Sequence, residues 1–390
     1  MNRSQAVARS LREAEPYRLM AVVRASLARD HGAVSADLYL ADYGLKTLCG
    51  VEDLPGEEAP EYSVFNTVIG RVFGSQEVFA EETDEDGTRA VHLPVTARGE
   101  RLGVLTVRTA PETRVRAILP DLIDTADALG HELIVAARHT DLYRSFRRRE
   151  RLTLAAEIQW DLLPGRGYEC AEYVIGAQLE PAYDVRGDNF DWSVMPDRLE
   201  IGVTNGMGEG IEASLLTNLA VNALRNARRG GISLADQAAL ADKAVYALHR
   251  GKRHVDMLLL GFDLDTGRVE VVDAGSPRLY LLRGDRVTRV PFDAQLPLGM
   301  AEDTVYVAQH FQVEPGDRLV FASDGVFDAV GSSGPEAFGD RLLARAILGT
   351  RLLPGASVPQ EVLRHLVEYQ GGREAEDDAL VVCVDWRGRP

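Results

Sequence analysis

Little in this chain offers a covalent staple. Three cysteines, Cys49, Cys170 and Cys383, are scattered through 390 residues, and none forms a C-x-x-C pair. That spacing excludes a disulfide framework and a cysteine-type structural zinc site, and it suits a reducing compartment. Long apolar runs are also missing. None approaches the roughly 20 residues that span a bilayer, and the first twenty residues lack the apolar core of a secretory signal. The expectation is a cytoplasmic protein with no membrane partner. Positive charge is in deficit, with 43 Lys and Arg against 60 Asp and Glu, for a formal net charge of −17. Such an excess argues against nucleic acid as a partner, because its surface is anionic as well. There is no G-x-x-x-x-G-K-[ST] phosphate loop and no G-x-S-x-G nucleophile elbow.

What is present is ordinary globular composition, 45% hydrophobic and 26% charged, in a length that suits two or three domains. Residues 16–29 read as a helix with Leu19, Val22, Val23 and Leu27 on one stripe. "SADLYLAD" and "LKTLCGVE" alternate as strands of a meander, and "VFNTVIGRVFGSQEVFAEE" reads as helix, glycine turn and strand. "HLPVTARGERLGVLTV" is a hairpin, and the pattern turns helical from Val115. This order, with the "LGVL" returning strand, resembles a GAF domain over residues 1–138. The resemblance implies a small-ligand-binding or dimerising regulator whose ligand is unknown. Cys49 and His92, each alone, read as core or surface residues and not as haem or metal ligands.

Residues 139–165 hold no Gly or Pro before Pro164-Gly165, and Leu142, Phe146, Leu154, Ile158 and Leu162 fall near helical spacing. The expectation is one linking helix, a signalling rod or the seam of a homodimer. Arg147, Arg148, Arg149 and Arg151 read as its solvated face, partly paired with Glu150.

From residue 166 to 390 short strands dominate, among them "YVIGAQLE", "RLEIGVTN", "DMLLLGFDLD", "DTVYVAQHF", "DRLVFASD" and "ALVVCVDW". Two helices interrupt them. One runs over 211–228 with Ile211, Leu215, Leu219, Ala223 and Ala227 on a stripe; the other starts at Ser233, an N-cap with Asp236 three residues on. Many antiparallel strands with consecutive amphipathic helices predict two stacked sheets flanked by helices, an α+β fold.

The candidate chemistry is acidic and dispersed. Asp188 lies in "RGDNFD", Asn205 and Gly206 in "TNGMGEG", Asp324 in "ASDGVFDA", and Asp377 and Asp378 in "EDDALVV". Each sits at a predicted strand edge. Carboxylates gathered at one sheet edge repel unless a cation sits among them, and hard oxygen ligands select Mg2+ or Mn2+. Two such ions could bind a phosphoryl group and activate a water.

These segments, with "LAAEIQWDLLP" before them and "DTGRVEVVDAGSPRLYLL" and "QLPLGM" between, resemble in order the metal-dependent protein phosphatases related to phosphatase 2C, in their bacterial SpoIIE-type form. The resemblance implies a dinuclear Mn2+ or Mg2+ centre that hydrolyses phosphoserine or phosphothreonine without a covalent intermediate. It implies Asp188, Asp324 and Asp377 as catalytic metal ligands, with the Gly206 carbonyl a further one and Asp378 the alternative to Asp377. It also implies a phosphorylated anti-sigma-factor antagonist, or a similar regulatory protein, as substrate.

Two positions depart from the family pattern. Asn205 stands where the family keeps a metal-binding Asp, and Ser276 where it usually keeps a His. An amide oxygen can coordinate a hard cation but carries no charge and bridges two ions poorly. Two outcomes stay open: a phosphatase with weakened activity, or a pseudophosphatase that binds a phosphoprotein without turnover.

Overall fold

A computed structural model describes residues 3–52, 59–81, 87–148, 153–180, 185–332, 334, 336–371 and 375–389. The chain divides into two compact units, Met1–Arg151 and Leu152–Pro390.

The first unit runs α1 (Arg3–Glu13), α2 (Leu19–His31), β1 (Ala33–Ala41), β2 (Thr47–Gly50), β3 (Glu61–Ser63), α3 (Val68–Ser75), β4 (Phe79–Ala80), β5 (Arg89–Ala97), β6 (Glu100–Thr109), α4 (Val115–Ala136) and α5 (Leu142–Phe146). The six strands form one antiparallel sheet in the order β3-β2-β1-β6-β5-β4. Period-two alternation sorts its faces. Leu38, Leu93 and Leu105 meet Leu27, Leu122 and Leu129 of the long helices. Tyr39, Leu48 and Val104 on the other face meet Val72 and Phe73 of α3. Cys49 and His92 are both buried, and His92 Nδ1 lies 2.9 Å from Thr106 Oγ1.

The expected linking helix over 139–163 is not one helix. Residues 137–141 form a turn after α4, α5 ends at Phe146, and α6 (Leu154–Leu162) restarts at Thr153, whose side chain accepts from Ala156 N. The new N-cap satisfies backbone donors that a continuous helix would have paired internally. The two pieces belong to different units. In the first unit, Tyr143 donates to Pro16 O and Arg147 to Ala41 O, with the Arg147 guanidinium over the Tyr43 ring. Arg147 is thus tied to its own unit and is not part of a solvated helix face. Arg149, Glu150 and Arg151 lie outside the described residues.

The second unit continues with β7 (Gly167–Glu169), β8 (Tyr173–Glu180), β9 (Asp188–Val194), β10 (Arg198–Gly206), α7 (Gly210–Arg229), α8 (Leu234–His249), β11 (Val255–Asp263), β12 (Arg268–Ala274), β13 (Arg278–Arg283), β14 (Arg286–Arg289), β15 (Gln309–Gln312), β16 (Arg318–Ala322), α9 (Asp324–Phe327), α10 (Gly339–Gly349), α11 (Val358–Gln370) and β17 (Ala379–Trp386). Two antiparallel sheets result, β15-β12-β11-β10-β9 and β14-β13-β16-β17-β8-β7. Their facing sides share one core, with Phe190, Ile201, Val203, Leu258 and Phe262 from the first and Ile175, Phe321, Leu380 and Val382 from the second. Helices α7 and α8 cover the outer face of the first sheet through Leu216, Ala220 and Val245. Helices α10 and α11 cover the second through Leu343, Ile347 and Val362. The result is the expected four-layered sandwich of helices, two sheets and helices.

Two local expectations hold only in part. Of the expected α7 stripe, Ile211 and Leu215 are exposed, Leu219 and Ala223 are partly buried and Ala227 is buried, while Ala213, Leu216, Ala220 and Leu224 supply the rest of the contact. A strict four-residue step drifts round a helix of 3.6 residues per turn, so that stripe starts off the contact face and reaches it only toward the C-terminal end. "DTVYVAQHF" is strand only from Gln309. Val305 and Val307 are exposed, and the Val307 backbone is paired with the Gln295 side-chain amide instead of with a neighbouring strand.

Candidate metal centre

Register and side-chain parity bring the predicted acids together. On β9, Phe190 faces the shared core, so Asp188, two residues earlier, faces the same gap. On β10, Ile201 and Val203 do so, and Asn205 continues the column. On β11, Leu258 and Leu260 do so, and Asp256 opens that column. Antiparallel pairing sets Asn205 opposite Asp188 on one side and opposite Asp256 on the other. From the second sheet, Asp324 follows β16 and begins α9, and Asp377 and Asp378 lead into β17.

Asp324 Oδ1 accepts from Asn205 Nδ2 at 2.8 Å and from its neighbour Gly325 N at 3.1 Å. A carboxylate is acceptor-only when ionised, which fixes the amide NH2, and not its oxygen, toward Asp324. Asp377 Oδ1 accepts from Asp378 N at 2.8 Å. Asp324 and Asp377, with Arg186, Asp328 and Glu376, line a cavity of about 340 Å3.

The structure separates the two adjacent aspartates. Asp377 lines the cavity. Asp378 is fully buried and its Oδ2 accepts from Arg186 N (2.9 Å), Gly187 N (3.0 Å), Asp188 N (3.3 Å) and Gln159 Nε2 (2.8 Å). Such charge-assisted bonds are the stronger kind, so Asp378 anchors the loop that presents Asp188. Gln159, on α6, also donates to Asp188 O at 2.7 Å. Thr217 on α7 donates to Gly187 O at 2.7 Å. Gly187 has φ +91, and a Cβ there would stand 2.7 Å from Gly206 O. The Gly206 carbonyl therefore lies hard against the Asp188 loop, an approach that only glycine allows.

Asp188 is the anomaly. It is fully buried, and neither carboxylate oxygen has a hydrogen-bond partner. Burial pushes its carboxyl well above the usual range, and Asp378 and Asp324 push it further, against a smaller pull from the nearby Ser323 hydroxyl, which falls outside hydrogen-bonding geometry. Asp377 is pushed up to about 6, chiefly by burial and then by Asp324. Burial lifts Asp256 as well; His254 and Ser276 pull it back, and Asp324 adds to the lift. A buried carboxylate without a partner costs free energy unless a proton or a cation joins it.

Among the described residues no three His, Cys, Asp or Glu side chains already stand as a finished ligand group. The donor set nevertheless fits a hard cation. It is all oxygen, it is acidic, and Asp188 supplies two unpartnered buried oxygens. Asp324 has one oxygen committed to Asn205.

Of the residues singled out from sequence, Asp188, Asn205, Asp324 and Asp377 converge, Gly206 adjoins them, and Asp378 stands behind them. Ser276 follows Gly275, whose φ is +144 and whose missing Cβ would collide with the Asp256 side chain. Asp256 and Gln159 were missed. Gln159, a polar residue inside "LAAEIQWDLL", was visible as an oddity; Asp256 becomes visible only through register.

The second unit is an α+β domain of two antiparallel sheets between helical layers. The family described as Stage II sporulation protein E (SpoIIE) matches residues 195–387, and this region of the chain belongs to that family. Stage II sporulation protein E of Bacillus subtilis (strain 168) is 24% identical over 205 residues, which cover 51% of this chain and 24% of that protein. Phosphoserine phosphatase RsbU of the same organism is 25% identical over 177 residues, covering 45% of this chain and 52% of that protein. The chain thus spans about a quarter and about half of these two relatives. The solved SiaA-PP2C domain of Pseudomonas aeruginosa is 22% identical, with a TM-score of 0.49, over 55% of this chain and 85% of that one. RsbX, solved in complex with magnesium, is 15% identical, with a TM-score of 0.43, over 56% of this chain and 98% of that one.

Proposed function

We propose that this chain is a metal-dependent protein serine/threonine phosphatase. The observation that carries the reading is Asp188, buried with two unpartnered oxygens beside Asp324 and Asp377 at the edge of an open cavity. Mn2+ or Mg2+ held there would supply the charge that binds a phosphoryl group and the acidity that activates water. Asp188, Asp324, Asp377 and the Gly206 carbonyl would hold the cation. Asp378 and Gln159 position the loop that carries Asp188. Arg186 lines the same cavity and suits the anionic oxygens of a phosphorylated side chain.

Membership in the SpoIIE family and likeness to RsbU support a phosphorylated signalling protein of the anti-sigma-factor-antagonist type as substrate. The first unit would act as a GAF-like regulator with a small ligand of its own, within a homodimer. No described helix is long and apolar enough to cross a membrane.

The Asn205–Asp324 hydrogen bond favours a second reading, a phosphoprotein-binding module with little turnover. Phosphate release from a phosphoserine peptide, with Mn2+ and with EDTA, separates the two. The enzyme reading expects Mn2+-dependent release that falls by about 100-fold or more in Asp324→Ala, the scale set by losing one electrostatic group from an active site. Release equal in wild type and variant would end the enzyme reading.

A further inference from the structure

Asn205 occupies the middle of a three-residue row with Asp188 on one side and Asp256 on the other. Cross-strand neighbours of this kind stand with Cβ atoms about 4.5–5.5 Å apart and project to the same face. Asp256 opens the column that continues as Leu258, Leu260 and Phe262 in the inter-sheet core, so its side chain faces the gap that Asp188 and Asn205 face. It packs against the turn at 274–276, where a Cβ on Gly275 would stand 2.4 Å from Asp256 Cγ. Asp324, which accepts the Asn205 amide, also acts electrostatically on Asp256. An independent pointer to a cation lies at the other end of the row, where neither oxygen of the fully buried Asp188 has a hydrogen-bond partner.

We propose that Asp256 supplies the cation site with the carboxylate that position 205 lacks, one strand away from where the family pattern puts it. The ligand is a hard divalent cation, Mn2+ or Mg2+. Asn205 then has a different task. Its amide steers Asp324 by hydrogen bonding, while Asp188, Asp256 and Asp324 share the charge. The number of carboxylates round the cation is kept, and their distribution changes. This inference rests on the cation-site reading of the phosphatase proposal.

The test is Mn2+ binding to the full chain, followed by the electron paramagnetic resonance signal of free Mn2+, with melting measured in EDTA as a control for folding. Outer-shell partners alone are worth roughly ten- to hundredfold in metal affinity, so Asp256→Asn should weaken binding by at least about tenfold. The double variant Asn205→Asp with Asp256→Asn returns the carboxylate across the row and should recover most of that loss. If wild type binds no Mn2+, the cation-site reading itself fails. If wild type binds and Asp256→Asn binds as tightly, Asp256 serves only as a neighbour of His254 and this inference alone is overturned. A double variant no tighter than Asp256→Asn overturns it as well, and covers the case in which the single variant folds poorly.

Discussion

Replacing Asn205 by aspartate puts a third carboxylate between Asp188 and Asp256 and removes the N–H that now satisfies Asp324. Both changes cost stability when no cation is present. A hydrogen bond to a charged group contributes about 1.5–3 kcal/mol net. Two ionised carboxylates about 5 Å apart repel by about 3 kcal/mol at an effective dielectric constant of about 20. Proton uptake relieves part of that repulsion, so a net loss of about 3 kcal/mol is the reasonable total. For a domain of about 150–250 residues each kcal/mol moves the midpoint by about 2–4 °C, so melting in EDTA should fall by roughly 6–12 °C. A cation reverses the sign of the same electrostatics. Saturating Mn2+ should raise the Asn205→Asp midpoint by more than it raises wild type, with a larger gain the tighter the site. Differential scanning calorimetry of both proteins, in EDTA and in Mn2+, reads the two effects separately. Melting of the variant in EDTA within about 2 °C of wild type would refute the packed-row argument, given the scale above. An Mn2+ increment no larger than that of wild type would refute the claim that this row faces the cation.

Two other substitutions follow from the packing. Gln159→Leu removes the donor shared by Asp188 O and Asp378 Oδ2 and should cost about 1–3 kcal/mol in urea unfolding, because buried acceptors lose a partner. Gly325→Ala would drive a methyl group into the Asp378 carbonyl and should cost about 1–3 kcal/mol by the same assay, as overpacking does.

Much of the second unit was legible because its sheets obey period two so cleanly. The inward columns ending in Asp188, Asn205 and Asp378 are apolar at every second position, so the polar residue at each end stands out. The alternation cannot say which residue lies beside which. Asp256 follows His254-Val255 at an unremarkable strand start, and only its pairing with Asn205 gives it a role. Only the family resemblance put Asp377 ahead of Asp378; the residue pattern alone does not rank them, because a one-residue difference decides between the cavity and the backbone of Arg186–Asp188. The segment around 139–163 misled for a physical reason. Absence of Gly and Pro permits a helix but does not require one, and Thr153 competes as an N-cap.

Whether these dispersed acids enclose a hard cation is read from crystals grown with Mn2+ and measured at the manganese absorption edge. An anomalous peak is expected in the gap bounded by Asp188, Asp324 and Asp377, within reach of Asp256. A map with no peak there at saturating Mn2+, and with Asn205 still bonded to Asp324 and the Asp188 oxygens still unpartnered, would contradict it.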